Sequence, residues 1–237
     1  MNMRGQLESK IDVKEATLIN QESPGKQREC TFEQTARLRY LRFLPRGYGT
    51  GPEEKWPLIL FLHGMGERGD DLELVKIHGI PKIIERQPDF PFVAVSPQCP
   101  DETTWRDHHL TLKALLDEVV ANYAVDAHRI YLTGLSMGGY GTWSLATRYP
   151  ELFAAIAPIC GSGSPDLASA LKDVPVWAFH GAEDEIVKLE AGQRMVDALR
   201  SCGGNVRFTV YPGVGHDSWT QTYDNPELYE WFLQHRR

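Results

Sequence analysis

Gly134-Leu135-Ser136-Met137-Gly138 is a stretch whose spacing points to covalent chemistry. A strand-like run, Arg129 to Thr133, leads into it, and a helix-like run, Tyr140 to Thr147, leaves it. Glycines two residues either side of a serine let the backbone turn sharply from strand to helix without a Cβ clash. The turn pushes the hydroxyl out at the edge of a sheet. A serine hydroxyl is a weak nucleophile until a base takes its proton. On an elbow of this kind the acid and then the histidine follow along the chain, each in a loop after a later strand.

Both loops can be found. The run Val174 to Phe179 enters His180-Gly181-Ala182-Glu183-Asp184-Glu185-Ile186-Val187, where three carboxylates lie together. Asp184 is the candidate acid, because it sits mid-loop before an apolar Ile186-Val187 pair able to anchor it. Glu183 and Glu185 are its rivals, since either carboxylate type can orient an imidazole. The last run, Val206 to Tyr211, enters Pro212-Gly213-Val214-Gly215-His216-Asp217-Ser218-Trp219. Of the 8 histidines, His216 alone follows the strand after the acid loop, and it is the candidate base; His235 lies in the terminal helix and tail.

A fourth loop, Leu62 to Asp71 (LHGMGERGDD), follows the first long apolar run. Such a loop donates one backbone N–H to an oxyanion hole, and the residue after the nucleophile donates the other. Met65 and Met137 are the candidates. The ring of His63 is expected to brace the loop. Glu67, Arg68, Asp70 and Asp71 are either a local ion-pair network or simply solvated. Trp105 and Trp219 are candidate walls for an acyl or aromatic group, with packing as the alternative for Trp105.

These loops need elements to carry them. Trp56 to Leu62 is a continuous apolar run, as expected for a strand buried on both faces, and similar runs recur at 92–95, 129–133, 153–159, 174–179 and 206–211. Between them, 110–123, 140–149, 189–202 and 226–234 have helical spacing, and Gly203-Gly204 stops the third. The alternation predicts an α/β fold: one mainly parallel sheet flanked by helices on both faces. Residues 1–30 read as a polar lead-in, with a turn at Ser23-Pro24-Gly25, and 31–237 as the catalytic domain. Thr31 to Leu44 reads as one or two strands, with Arg37, Arg39 and Arg42 on a wet face; Thr50 to Lys55 is a turn-rich link. The stretch between 153–159 and 174–179 is too short for a large helical lid.

The chain has 237 residues, 42% hydrophobic and 24% charged, which suits a single globular domain. A formal charge of −7 works against nucleic-acid binding. The polar start lacks the apolar core of an export signal and no apolar run is long enough to span a bilayer, so a cytoplasmic protein without membrane insertion is expected. Cys30, Cys99, Cys160 and Cys202 have no metal-ligand spacing, and free thiols are expected.

Taken together, LHGMGERGDD, RIYLTGLSMGGYGTW, HGAEDEIV and GVGHDSW resemble the α/β-hydrolase superfamily. They are most similar to compact bacterial carboxylesterases of the phospholipase/carboxylesterase, dienelactone-hydrolase and feruloyl-esterase branches. The resemblance covers about residues 36–235. It implies a single-domain α/β-hydrolase fold without a large lid. It also implies Ser136, Asp184 and His216 as a triad, with the Met65 and Met137 amides as oxyanion donors. Dienelactone hydrolases carry cysteine at the elbow, and this chain has Ser136. The expected activity is hydrolysis of short-chain or aryl carboxylic esters through an acyl-enzyme, without metal or organic cofactor, rising with pH as the imidazole loses its proton. A small peptidase or amidase of prolyl-oligopeptidase type is the alternative, and a noncatalytic binding module on this fold the third.

Overall fold

The computed structural model describes residues 24–33, 37–50 and 55–237. Eight strands form one sheet: β1 (Gln27–Glu33), β2 (Arg37–Phe43), β3 (Trp56–Leu62), β4 (Val93–Pro97), β5 (Val125–Leu135), β6 (Ala155–Ile159), β7 (Val176–Gly181) and β8 (Val206–Tyr211). Their order is β1-β2-β4-β3-β5-β6-β7-β8. The pairs β1/β2 and β2/β4 are antiparallel, and all the others are parallel. Six helices surround the sheet: α1 (Gly79–Ile84), α2 (His109–Asn122), α3 (Met137–Arg148), α4 (Leu189–Ser201), α5 (Trp219–Tyr223) and α6 (Pro226–Leu233).

Most of the apolar runs become strands because both of their faces are covered; β8, at the edge of the sheet, stays partly exposed. Along β3, Leu58, Leu60 and Leu62 pack with Leu112 and Leu115 of α2, Trp143 of α3 and Met195 of α4. The alternate residues, Ile59 and Phe61, pack with Ile80 and Ile83 of α1 and Phe232 of α6. Each such side chain, fully removed from water, contributes roughly 1.5–3 kcal/mol. A central strand with water on neither face therefore shows no alternation.

Chain order reverses at the middle of the sheet. From β3 the chain goes to β4 on one side, then crosses to β5 on the other. A crevice opens at the carboxyl ends of the strands at such a switch point. The loop after β3 and the turn after β5 are its two banks.

Several expectations shift. The sheet begins at Gln27, inside the stretch read as lead-in, while residues 1–23 lie outside the described residues. Of the expected first turn, Pro24 and Gly25 form a turn and Ser23 lies outside; so do residues 51–54 of the Thr50–Lys55 link. Arg42 does not face water: it is 5% exposed, and its guanidinium lies 4.5 Å from the centre of the Tyr123 ring. An arginine stem can line apolar surface when an aromatic face receives the charge. Between β6 and β7 the chain makes only a 3₁₀ turn, Pro165–Leu171, and no large lid. Among the described residues no disulfide joins Cys30, Cys99, Cys160 or Cys202. Among the described residues, no helix is long and apolar enough to cross a membrane.

Candidate active site

Ser136 stands between β5 and α3, as the residue before the helix, with φ 51° and ψ −114°. A non-glycine residue held in such a region costs of order 1–3 kcal/mol and persists only where its surroundings over-determine it. Here they do. A Cβ on Gly138 would lie 1.8 Å from the carbonyl oxygen of Leu62, so the first turn of α3 rests directly on the end of β3. The Ser136 N–H donates to the Ile159 carbonyl at 3.0 Å and to Cys160 Sγ at 3.3 Å.

His216 Nε2 lies 2.9 Å from Ser136 Oγ, and His216 Nδ1 lies 2.7 Å from Asp184 Oδ2. With the Nδ1 proton accepted by Asp184, Nε2 presents its lone pair to the serine hydroxyl. The other Asp184 oxygen accepts the N–H groups of Ile186 and Val187, each at 2.9 Å. The apolar pair therefore fixes the carboxylate through its amides, with Val187 buried and Ile186 turned outward, 75% exposed. The rivals Glu183 and Glu185 are exposed. Acid and base loops are tied together by the Glu183 N–H, which donates to the Val214 carbonyl at 2.9 Å. His180 braces the acid loop from beneath: its Nε2 is 2.8 Å from the Val187 carbonyl and 3.4 Å from Asp184 Oδ2.

The loop after β3 enters a 3₁₀ turn, Met65–Glu67. Met65 opens that turn and Met137 opens α3, so each amide is one that its helix leaves unpaired. Both residues line the crevice with Ser136. His63 braces the loop, as expected. Its Nε2 accepts the Cys99 N–H at 2.9 Å, and its ring meets Trp105 edge-on at 4.9 Å. Burial, against a smaller opposing contact with the Gly64 carbonyl, lowers its pKa to about 4, so the ring is neutral.

The four charged residues of this loop do not pair with one another. Arg68 donates to the carbonyls of Met65 and Thr103, and Asp71 accepts the Glu73 N–H. Glu67 is buried and faces histidines instead. Gln98 pins the loop from β4, donating to the carbonyls of Glu67 and Asp71 at 3.0 and 2.8 Å.

The crevice encloses about 540 Å³ and is walled largely by apolar groups, Met65, Leu135, Tyr140, Ile186, Val187 and Trp219 among them. Trp105 also lines it, but is 1% exposed and donates its indole N–H to the His63 carbonyl at 2.9 Å. It is thus first a packing residue. Trp219 stands edge-on to His216, ring centres 5.2 Å apart. The motifs give no role to Cys160, His78 or His180 and leave Glu67 between a local ion-pair network and solvation. Cys160 Sγ lies close to both Asp184 and His216, and burial raises its thiol pKa to about 12. Cys160 and His78 lie outside the motifs, and His180 and Glu67 lie inside them at positions whose spacing assigns no role, so only the folded chain reveals their contacts.

An eight-stranded, mainly parallel sheet with a serine elbow after β5, an acid after β7 and a histidine after β8 defines an α/β-hydrolase. The chain belongs to the phospholipase/carboxylesterase family, whose model matches residues 85–225. It is similar to carboxylesterase SOBER1 of Arabidopsis thaliana, 29% identical over 135 residues, covering 54% of this chain and 58% of that protein. Among solved structures it is similar to a thermostable esterase (TM-score 0.82, 34% identity, 90% of this chain and 64% of that one). A ferulic acid esterase shares the fold (TM-score 0.68, 20% identity, 86% and 95%). The chain spans only part of the first two relatives.

Proposed function

We propose that this protein is a serine carboxylesterase acting on short-chain or aryl carboxylic esters. The observation that carries the reading is the continuous hydrogen-bonded line from Ser136 Oγ through His216 to Asp184. In this reading His216 Nε2 takes the hydroxyl proton as Ser136 Oγ bonds to the ester carbonyl carbon. The carbonyl oxygen gains negative charge, which the amides of Met65 and Met137 receive. Donors already in place for a charge that forms only in the transition state lower the barrier, and one is worth about 3–4 kcal/mol. The C–O bond to the alcohol then breaks, and the alcohol leaves with the proton from His216. Water repeats the sequence on the acyl-enzyme, its proton passing to His216 and then back to Ser136.

The apolar walls and lack of a large lid support small or aromatic acyl groups, with Trp219 as one wall and the inner edge of Trp105 as another. The residues carry out this chemistry without a metal or organic cofactor. The domain that does so is 31–237, with β1 extending it to Gln27. The partner is a small-molecule ester, and neither nucleic acid nor membrane insertion is part of this reading.

The test compares p-nitrophenyl acetate with an aminoacyl anilide, using Ser136→Ala as blank, alongside fluorophosphonate labelling. Ester turnover that vanishes in the blank, with labelling at Ser136, is expected. Faster anilide cleavage would favour the peptidase alternative. No labelling would favour a binding module.

A further inference from the structure

Trp219, the first residue of α5, is wedged between two imidazoles. Its ring centre lies 5.2 Å from that of His216, with planes 88° apart, and 5.5 Å from that of His78, at 63°. His78 stands at the entrance of α1. Its direction is set by Gly79, which takes φ +64° where a Cβ would come 2.3 Å from the Phe61 ring. Beyond His78 lies Glu67, whose Oε1 is 4.0 Å from His78 Nε2 and whose Oε2 is 3.8 Å from His63 Nδ1. Glu67 ends the same 3₁₀ turn that Met65 begins. A line of contacts therefore runs from the oxyanion loop to the base.

This line is costly to maintain. Glu67 is only 7% exposed, and burial raises its carboxyl pKa, with His78 and the backbone amides of Gly64 and Glu67 pulling the other way. His78 Nδ1 and Trp219 Nε1 are buried without a hydrogen-bond partner among the described residues. Buried polar atoms left in this state lower stability, so apolar residues of the same shape would hold the fold better. Stability alone therefore does not account for their place beside the site. The oxyanion donors and the imidazole come from loops far apart in sequence and must hold their geometry to within about 0.5 Å.

We propose that Glu67, His78 and Trp219 form a positioning relay that couples the oxyanion loop to His216. The relay rests on the esterase reading above. None of the three exchanges a proton or bonds to substrate in this role. Glu67 holds the turn that presents the Met65 amide, Trp219 holds the His216 ring, and His78 joins them.

The test is a double-mutant cycle on the full chain with Glu67→Gln, Trp219→Leu and the pair, plus Trp219→Phe. It reads the rate of fluorophosphonate labelling at Ser136, and kcat and KM for p-nitrophenyl acetate, whose small acyl group makes little use of the Trp219 wall. Each single change is expected to slow labelling and kcat about tenfold with KM within about twofold, and the pair to lose about tenfold in all, since residues acting as one unit are not additive. Trp219→Phe, which keeps a ring against His216, is expected to recover most of the rate. Losses that multiply to about a hundredfold, or single variants labelling at the wild-type rate, would overturn the relay. If Glu67→Gln does not fold, a cycle of His78→Leu with Trp219→Leu asks the same question with the same outcomes. A wild-type protein that fails to label at all would overturn the esterase reading first, and the relay with it.

Discussion

A Cβ added to Gly138 would lie 1.8 Å from the carbonyl oxygen of Leu62. The serine elbow and the end of β3 are thus in backbone contact at the point where the loop bearing Met65 leaves the sheet. No side chain stands between them to yield. Gly138→Ala must either push α3 away from β3 or distort Ser136. We expect it to destabilise the protein by at least the roughly 1–3 kcal/mol of an over-packed core. Labelling at Ser136 should slow sharply as well, because the Met65 and Met137 amides move apart. A urea midpoint and a labelling rate both at wild-type values would show that this contact is not rigid.

Asp184 differs from its neighbours in what it touches, and that difference can be measured. Asp184→Asn retains an oxygen for the Ile186 and Val187 amides but can present an N–H to His216 Nδ1, favouring the wrong imidazole tautomer. A loss of about 10⁴ in kcat is expected, as for the same change in a serine protease triad. Glu183→Gln and Glu185→Gln alter exposed side chains and should leave kcat within about twofold, since surface changes away from such contacts have small effects. If Glu183→Gln or Glu185→Gln caused the large loss instead, the acid would have been misassigned.

What could be read from the sequence was whatever has a short period or a fixed motif. The strand Val206–Tyr211 was legible to the residue, because VRFTVY is rich in β-branched and aromatic residues and lies between the turn residues Gly203-Gly204 and Pro212-Gly213. Ser136, Asp184 and His216 were legible because chain order and loop position restrict the choice. The short helices α1 and α5 were not: neither is long enough to display a helical period, and α1 carries Gly79 and Pro81. Arg42 does not share a face with Arg37 and Arg39, because side chains two apart along a strand point the same way and Arg42 is three from Arg39. Only the folded chain brings Tyr123 over that guanidinium. Glu67 stays between an ion pair and solvation in the sequence because spacing does not show that His63 of its own loop and His78 at the entrance of α1 both face its carboxylate.

Trp105 offers a test of packing against substrate contact. Trp105→Phe keeps most of the apolar bulk but removes the N–H that the His63 carbonyl accepts. A buried carbonyl left without its donor costs about 1–3 kcal/mol. The urea midpoint should fall accordingly, while KM for a hydroxycinnamate ester should change little. A large rise in KM with unchanged stability would make Trp105 chiefly a substrate wall.

His63 should give the protein a pH-dependent stability of its own. Folded, burial holds its pKa at about 4, against 6.5 for an ordinary imidazole. As pH falls below 6.5 the unfolded chain takes up a proton that the folded ring refuses. Unfolding then binds a proton, and stability declines as pH falls. The decline is complete near pH 4, where the folded ring also protonates, and the gap corresponds to about 3 kcal/mol. Other histidines with lowered values, His108, His109 and His235, act in the same direction. The informative quantity is therefore the difference between wild type and His63→Gln, whose amide oxygen can still accept the Cys99 N–H. Urea midpoints measured from pH 7.5 to 4 should fall less steeply in the variant. Parallel curves would mean that the neutral, buried ring is not what limits stability in acid.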